Sequence, residues 1–100
     1  MAAYMKYDGT RYITGDDGWY WRSVDGAWVR SFTGIGSGPT YTLEKRRRGE
    51  GEGAHSTGWY LTDDIEEGGF FGEFISPRIL DAVDIANDMI RRTLPARAEQ

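Results

Sequence analysis

Cysteine is absent from this 100-residue chain. That one absence removes disulfides, thiolate metal sites and thiol nucleophiles together, and it fits a reducing compartment. No long apolar run occurs, so no membrane-spanning helix is expected. The opening segment MAAYMKYDGTRY lacks the charged-then-apolar layout of a secretory signal. The expectation is a cytoplasmic protein. A basic excess is missing too: the formal net charge is −4, which argues against a dedicated DNA-binding domain without excluding a local basic patch. Histidine occurs once, as His55, in a glycine-rich segment beside Ser56. A Ser-His-Asp arrangement needs a base held by packed neighbours, and that setting promises none.

What the chain has in quantity is rings and turn formers, 14 aromatic residues and 14 glycines. Such a mixture points to short strands with tight connections in one domain. GWYWRSVDGAWVRSF, residues 18–32, is the clearest case. Asp25-Gly26 is a type I′ hairpin signal, because both positions require positive φ. In that register Val24 faces Ala27, Ser23 faces Trp28, Trp21 faces Arg30 and Trp19 faces Phe32. Directly opposite residues share a side. One side then carries Trp19, Trp21, Trp28, Arg30 and Phe32, with Arg30 against Trp21 as a cation–π pair.

Upstream, residues 11–14 pair with the Trp19 strand across Gly15–Gly18. Asp8-Gly9 marks an earlier turn, but it would set Lys6 opposite Arg11, a like-charge pair that disfavours a strand around Tyr4 to Tyr7. Downstream, residues 33–39 read as a loop and 40–46 as a strand. Residues 47–56 read as a mobile loop with almost nothing apolar to anchor it. Strands at 57–62 and 70–75 follow, joined through 63–69.

The period then changes. Ser76 is a good N-cap and Pro77 suits the first helical position. Ile79, Val83, Ala86 and Ile90 fall on one helical face, flanked by Ala82, Met89 and Leu94. Asp81, Asp84 and Asp88 fall on the opposite face. Arg91 and Arg92 suit the negative end of the dipole, and Pro95 stops the helix. The expected fold is α+β: an antiparallel sheet of five or six short strands, curled, with one C-terminal amphipathic helix on its aromatic face. It occupies residues 1–95, and 96–100 form a frayed tail.

A helix over 77–94 would be roughly 27 Å long and about 10 Å wide. Five strands make a sheet roughly 20–24 Å across. One helix therefore hides only a stripe of it, and the tryptophans and phenylalanines exceed what that stripe can hide. Either the sheet curls around the helix, or two copies pair, or a partner covers the excess.

Two charge runs stand out. Lys45-Arg46-Arg47-Arg48 suits phosphate contact at a strand end, diluted by Glu44, Glu50 and Glu52. Asp63-Asp64-Ile65-Glu66-Glu67 lacks the spacing and central glycine of a calcium loop. It reads as a solvated connection or as an electrostatic docking element for a basic protein. Gly34-Ile35-Gly36-Ser37-Gly38 is no phosphate loop, since no Lys-Ser/Thr follows and a strand comes next. No metal or cofactor is expected.

GWYL…GEFISPRILDAVDIANDMI, residues 58–90, resembles the strand-strand-helix ending of small uncharacterised sheet-plus-helix proteins of actinobacteria and their phages. The arrangement is also similar to the arm-type DNA-binding domains of phage integrases, from which the acidic helix departs. The resemblance covers about the last third of the chain, implies a phage or mobile-element origin, and supplies no catalytic residue.

The expected function is a small non-enzymatic protein–protein interaction module, a monomer or homodimer, that modulates or inhibits a host protein. Its contacts would be Trp19, Trp21, Trp28, Arg30 and Phe32, with Asp63, Asp64, Glu66, Glu67, Asp81, Asp84 and Asp88 as the electrostatic part. The alternative is a nucleic-acid-binding accessory domain using Lys45, Arg46, Arg47 and Arg48.

Overall fold

In a computed structural model the chain is described over residues 1–31, 40–51, 53–64 and 69–98. Among these residues lie seven strands and one helix: β1 (Ala3–Tyr7), β2 (Thr10–Thr14), β3 (Tyr20–Val24), β4 (Ala27–Ser31), β5 (Thr40–Arg46), β6 (Gly58–Asp63), β7 (Phe71–Ser76) and α1 (Ile79–Ala98). The strands form one open antiparallel sheet in sequence order, each paired with its predecessor. Such a meander is the simplest outcome for strands joined by short turns.

The β3–β4 hairpin has the register its turn residues demand. Ser23 faces Trp28 and Val24 faces Ala27, and Asp25 and Gly26 take φ of 49° and 84°. The same chemistry builds a hairpin where the Lys6–Arg11 repulsion spoke against one. Asp8 and Gly9 take φ of 51° and 79°, and β1 pairs with β2 with Lys6 opposite Arg11. Both cations are exposed. A like-charge pair in water costs only a few tenths of a kcal/mol, less than a well-formed turn and its ladder contribute. The strand count is therefore seven, above the five or six expected.

Ala82, Val83, Ala86 and Ile90 of α1 pack in one cluster with Ile13, Trp21, Trp28, Tyr41, Leu43, Leu61 and Phe70. The helix touches β7 and β6 at one end of the sheet and β2 near the other. The sheet thus curls round the helix, which answers how one narrow helix covers so many rings. There is no single aromatic face. Tyr60 and Phe74 meet at 5.3 Å in a separate group, and Tyr12 and Tyr20 meet edge-on at 5.6 Å in another.

Two further expectations are corrected. The described residues of the 47–57 segment, 47–51 and 53–57, fold back onto the sheet. Ala54 is buried. The Tyr60 hydroxyl donates to the Ser56 carbonyl at 2.6 Å and accepts from its N–H at 3.1 Å. Arg48 N–H reaches Thr57 Oγ1 at 3.0 Å. Anchoring comes from Tyr60, an apolar ring supplied by the neighbouring strand. At the C-terminus the helix runs through Pro95 to Ala98. Proline there forfeits one backbone hydrogen bond without reversing the chain. At the other end Ser76 Oγ accepts from Arg78 N–H at 3.2 Å, and the Arg78 carbonyl accepts from Ala82 N–H at 2.9 Å.

Candidate functional site: the open edge of β1

The tryptophan surface expected to dock a partner is interior. Trp21 is 0% exposed, Trp28 5% and Arg30 2%. A buried guanidinium needs partners, and Asn87, itself 2% exposed, supplies one. Its Oδ1 accepts from Arg30 Nη1 at 2.7 Å and from Trp21 Nε1 at 2.9 Å. Its Nδ2 donates to Asp17 Oδ1 at 3.1 Å and to the Trp19 carbonyl at 3.4 Å. Arg30 does not stack on Trp21. Its guanidinium lies 4.0 Å from the centroid of Trp19 and 5.7 Å from that of Tyr41. Burial pushes the Arg30 guanidinium below its ordinary value, with Asp17 opposing that shift. Arginine stays charged at any working pH, so burial acts as a cost in stability, not as a titration. Trp19 is half-buried, and Phe32 lies outside the described residues. Trp21, Trp28 and Arg30 are buried against α1 and the sheet and offer no docking face.

The expected acidic surface is largely engaged as well. Asp63 Oδ2 accepts from Phe70 N–H at 2.9 Å, and Asp64 Oδ1 from Thr40 N–H at 2.6 Å. Glu66 and Glu67 lie outside the described residues. Asp84 is half-buried and accepts from Ala2 N–H at 2.7 Å and Asp16 N–H at 3.0 Å. It clamps the start of β1 and the β2–β3 loop, and does not lie on a wet face. Asp88 pairs with Arg91 and Arg92. Asp81 alone of the three helical aspartates is exposed. A concavity of about 190 Å³ between Asp16, Asp17, Asp84, Asn87, Asp88 and Arg91 gathers several of these carboxylates. Among the described residues no group of three His, Cys, Asp or Glu side chains is arranged to hold a metal ion.

The basic run is divided. Lys45 lies opposite Trp59 and Arg46 opposite Gly58, so the two side chains leave opposite faces of the sheet. Arg46 Nε donates to Glu44 Oε1 at 3.0 Å, and its guanidinium stacks over Tyr60 at 5.0 Å. Arg47 and Arg48 sit exposed in the loop beyond. The four do not form one phosphate-facing row. His55 Nδ1 lies 3.1 Å from Ser56 Oγ, and its ring packs 5.7 Å from Phe74 and 6.1 Å from Tyr60, as part of the loop's anchoring.

The surface that remains is one the composition did not single out. All five residues of β1 are exposed, with Tyr4 at 60%, Met5 at 49% and Tyr7 at 73%. The strand is the first in the sheet order, so among the described residues its outer backbone edge has no neighbouring strand. Its two-residue turn makes Tyr7 and Thr10 the hydrogen-bonded closing pair. The antiparallel alternation then turns the N–H and C=O of Lys6 and Tyr4 outward. Tyr4 and Lys6 share one side of the strand. There the Tyr4 ring leans on Trp28 at 6.3 Å, and Arg11 lies 5.8 Å over the same indole. A shallow concavity of about 440 Å³ opens along Tyr4, Met5, Lys6 and Arg11.

The opposite edge is different. The β6–β7 pairing carries two register shifts, and Gly72 takes φ of 95°. Bulges of that kind spoil an edge as a template, whereas β1 is regular, proline-free and crossed by one lysine. The fold is thus an open antiparallel α+β sheet with one blunted edge and one bare edge. No protein-family model, curated protein or solved structure matches the chain. Among the described residues no helix is long and apolar enough to cross a membrane.

Proposed function

We propose that this chain is a small non-enzymatic protein-binding module that docks an extended segment of another protein as an eighth strand along β1. One observation carries the reading. A regular edge strand exposes every one of its five residues, and three of those side chains are large and apolar. Strand addition uses main-chain hydrogen bonds for affinity and alternate side-chain contacts for selectivity. Here the outward groups of Tyr4 and Lys6 supply the first, and the concavity beside them the second.

The probe is a display library of random peptides roughly ten residues long, the upper range of a natural strand. Peptides retained by the chain are then measured against Lys6→Pro. Proline is tolerated on an edge strand whose N–H faces solvent, so the hairpin and the melting temperature should be kept. Retained peptides that lose at least about tenfold in affinity, or about 1.4 kcal/mol, support edge docking. Peptides that bind Lys6→Pro as tightly as the parent chain refute it, as does a library that yields no binder.

A further inference from the structure

We infer that the segment accepted by β1 is acidic, with a carboxylate opposite Lys6, in the row that Lys6 forms with Arg11. The inference rests on the edge-docking reading above and adds the chemistry of the occupant. Lys6 and Arg11 are directly opposite on neighbouring strands, so they share a side of the sheet. Among the described residues neither enters an ion pair. Arg11 is held against the Trp28 ring, which fixes its guanidinium in place instead of leaving it to roam in water. Two unpaired like charges side by side are mildly unfavourable in the free chain. A carboxylate on an added strand opposite Lys6 would extend the row to anion, cation, cation and add an attraction that offsets that repulsion.

Two residues along, the same side of the added strand meets Tyr4, whose ring is 60% exposed and backed by Trp28. The matching residue there is apolar or aromatic. The engaged carboxylates Asp84 and Asp17 belong to the opposite end of β2, where Gly15 begins the β2–β3 loop. They stand about a strand length away, beyond a Debye length at physiological salt. The carboxylate nearest to Lys6 along the chain is Asp8, exposed in the turn itself, so the favoured place for an incoming carboxylate is opposite Lys6 and not against the turn. A second copy of this chain is a poorer occupant. With β1 antiparallel to itself and centred on Met5, Lys6 would face Tyr4 and no carboxylate would reach Lys6 or Arg11.

The test uses the full chain and three labelled synthetic peptides, read by fluorescence anisotropy at low and physiological salt. All share one alternating valine–threonine strand and differ at a single central position, which is glutamate, glutamine or lysine. The glutamate peptide should bind most tightly and weaken as salt rises. Arg11→Gln leaves the β1 edge in place. It should weaken the glutamate peptide about fivefold and leave the glutamine peptide unchanged. Equal binding of glutamate and glutamine peptides overturns the acidic preference while edge docking stands. Binding of none of the three overturns both. A dimer in sedimentation of the chain alone that Lys6→Pro dissociates overturns the acidic occupant in favour of a second copy. A single-stranded oligonucleotide that binds more tightly than the glutamate peptide, and loses that binding in Arg11→Gln, overturns it in favour of nucleic acid.

Discussion

Asn87→Ala tests how the helix is fixed to the sheet. The side chain is buried, and it joins Arg30 at 2.7 Å, Trp21 Nε1 at 2.9 Å and Asp17 at 3.1 Å. Truncation orphans a buried indole N–H and one arm of a buried guanidinium. An unsatisfied buried donor costs about 1–3 kcal/mol, and hydrogen bonds to charged groups lie toward the upper part of that range. Breaking a buried charged network by removing one partner costs about 3–5 kcal/mol. We therefore expect a loss of about 3–5 kcal/mol. Domains of this size have about 5–15 kcal/mol in total. At roughly 4–8 °C per kcal/mol the melting temperature should fall by at least about 12 °C. Calorimetry or a circular-dichroism melt reads this directly.

A second variant separates the network from simple cavity formation. Arg30→Met removes the buried charge together with its need for partners, and apolar replacement of a buried ionic group is often neutral or better. Arg30 already has one orphan, because its buried Nε has no hydrogen-bond partner. In the Arg30→Met background Asn87→Ala should cost at least about 1.5 kcal/mol less than in the parent chain. A loss below about 1 kcal/mol for Asn87→Ala alone, or strict additivity in the double mutant, would refute the claim that these contacts hold the helix. The same melts bear on Trp21, whose truncation should unfold much of the protein, as expected of a core ring.

Tyr60→Phe keeps the ring and removes the hydroxyl that holds both the backbone N–H and the backbone carbonyl of Ser56. It should cost about 1–2 kcal/mol, and limited trypsin digestion should cut at Arg47 or Arg48 at lower enzyme concentration. Gly26→Ala places a Cβ at φ of 84° and should cost about 1–2 kcal/mol in chemical denaturation. Lys6→Glu turns the like-charge pair with Arg11 into an opposite-charge one. It should raise stability by about 0.2–1 kcal/mol at low salt, fading as salt is added.

The parts legible in the sequence are those whose partners are close in the chain. Asp25-Gly26 specified its hairpin and register because a two-residue loop leaves no other choice. The apolar stripe of Val83, Ala86 and Ile90 specified which way α1 faces. Asn87 sits within that stripe, four residues after Val83 and three before Ile90, so helical spacing already pointed it inward. What could not be read was that a buried amide there would find Trp21 and Arg30, more than fifty residues away in sequence. Asp84 was misassigned for the same reason, since its partners Ala2 and Asp16 come from the far end of the chain. The loop over Tyr60 was misjudged because composition describes a loop's own residues and not the ring beneath it. The first strand forms because its Asp-Gly turn and ladder outweigh one exposed like-charge pair.

The same strand bears on what the molecule does. A seven-strand sheet that curls round a single helix buries its tryptophans and leaves two edges. β7 is disrupted by register shifts and leads straight into the helix through Ser76. β1 has no such protection among the described residues: its outer edge is next to no other strand, and its neighbour contributes an arginine held on a buried tryptophan. A stability-driven sequence would place a carboxylate at position 6, which would convert repulsion into attraction and leave Arg11 on the Trp28 ring. Lysine there leaves the free chain slightly less stable and the edge electrostatically unsatisfied. An added anionic strand offsets both conditions at once, so the repulsion and the bare edge point to the same occupant.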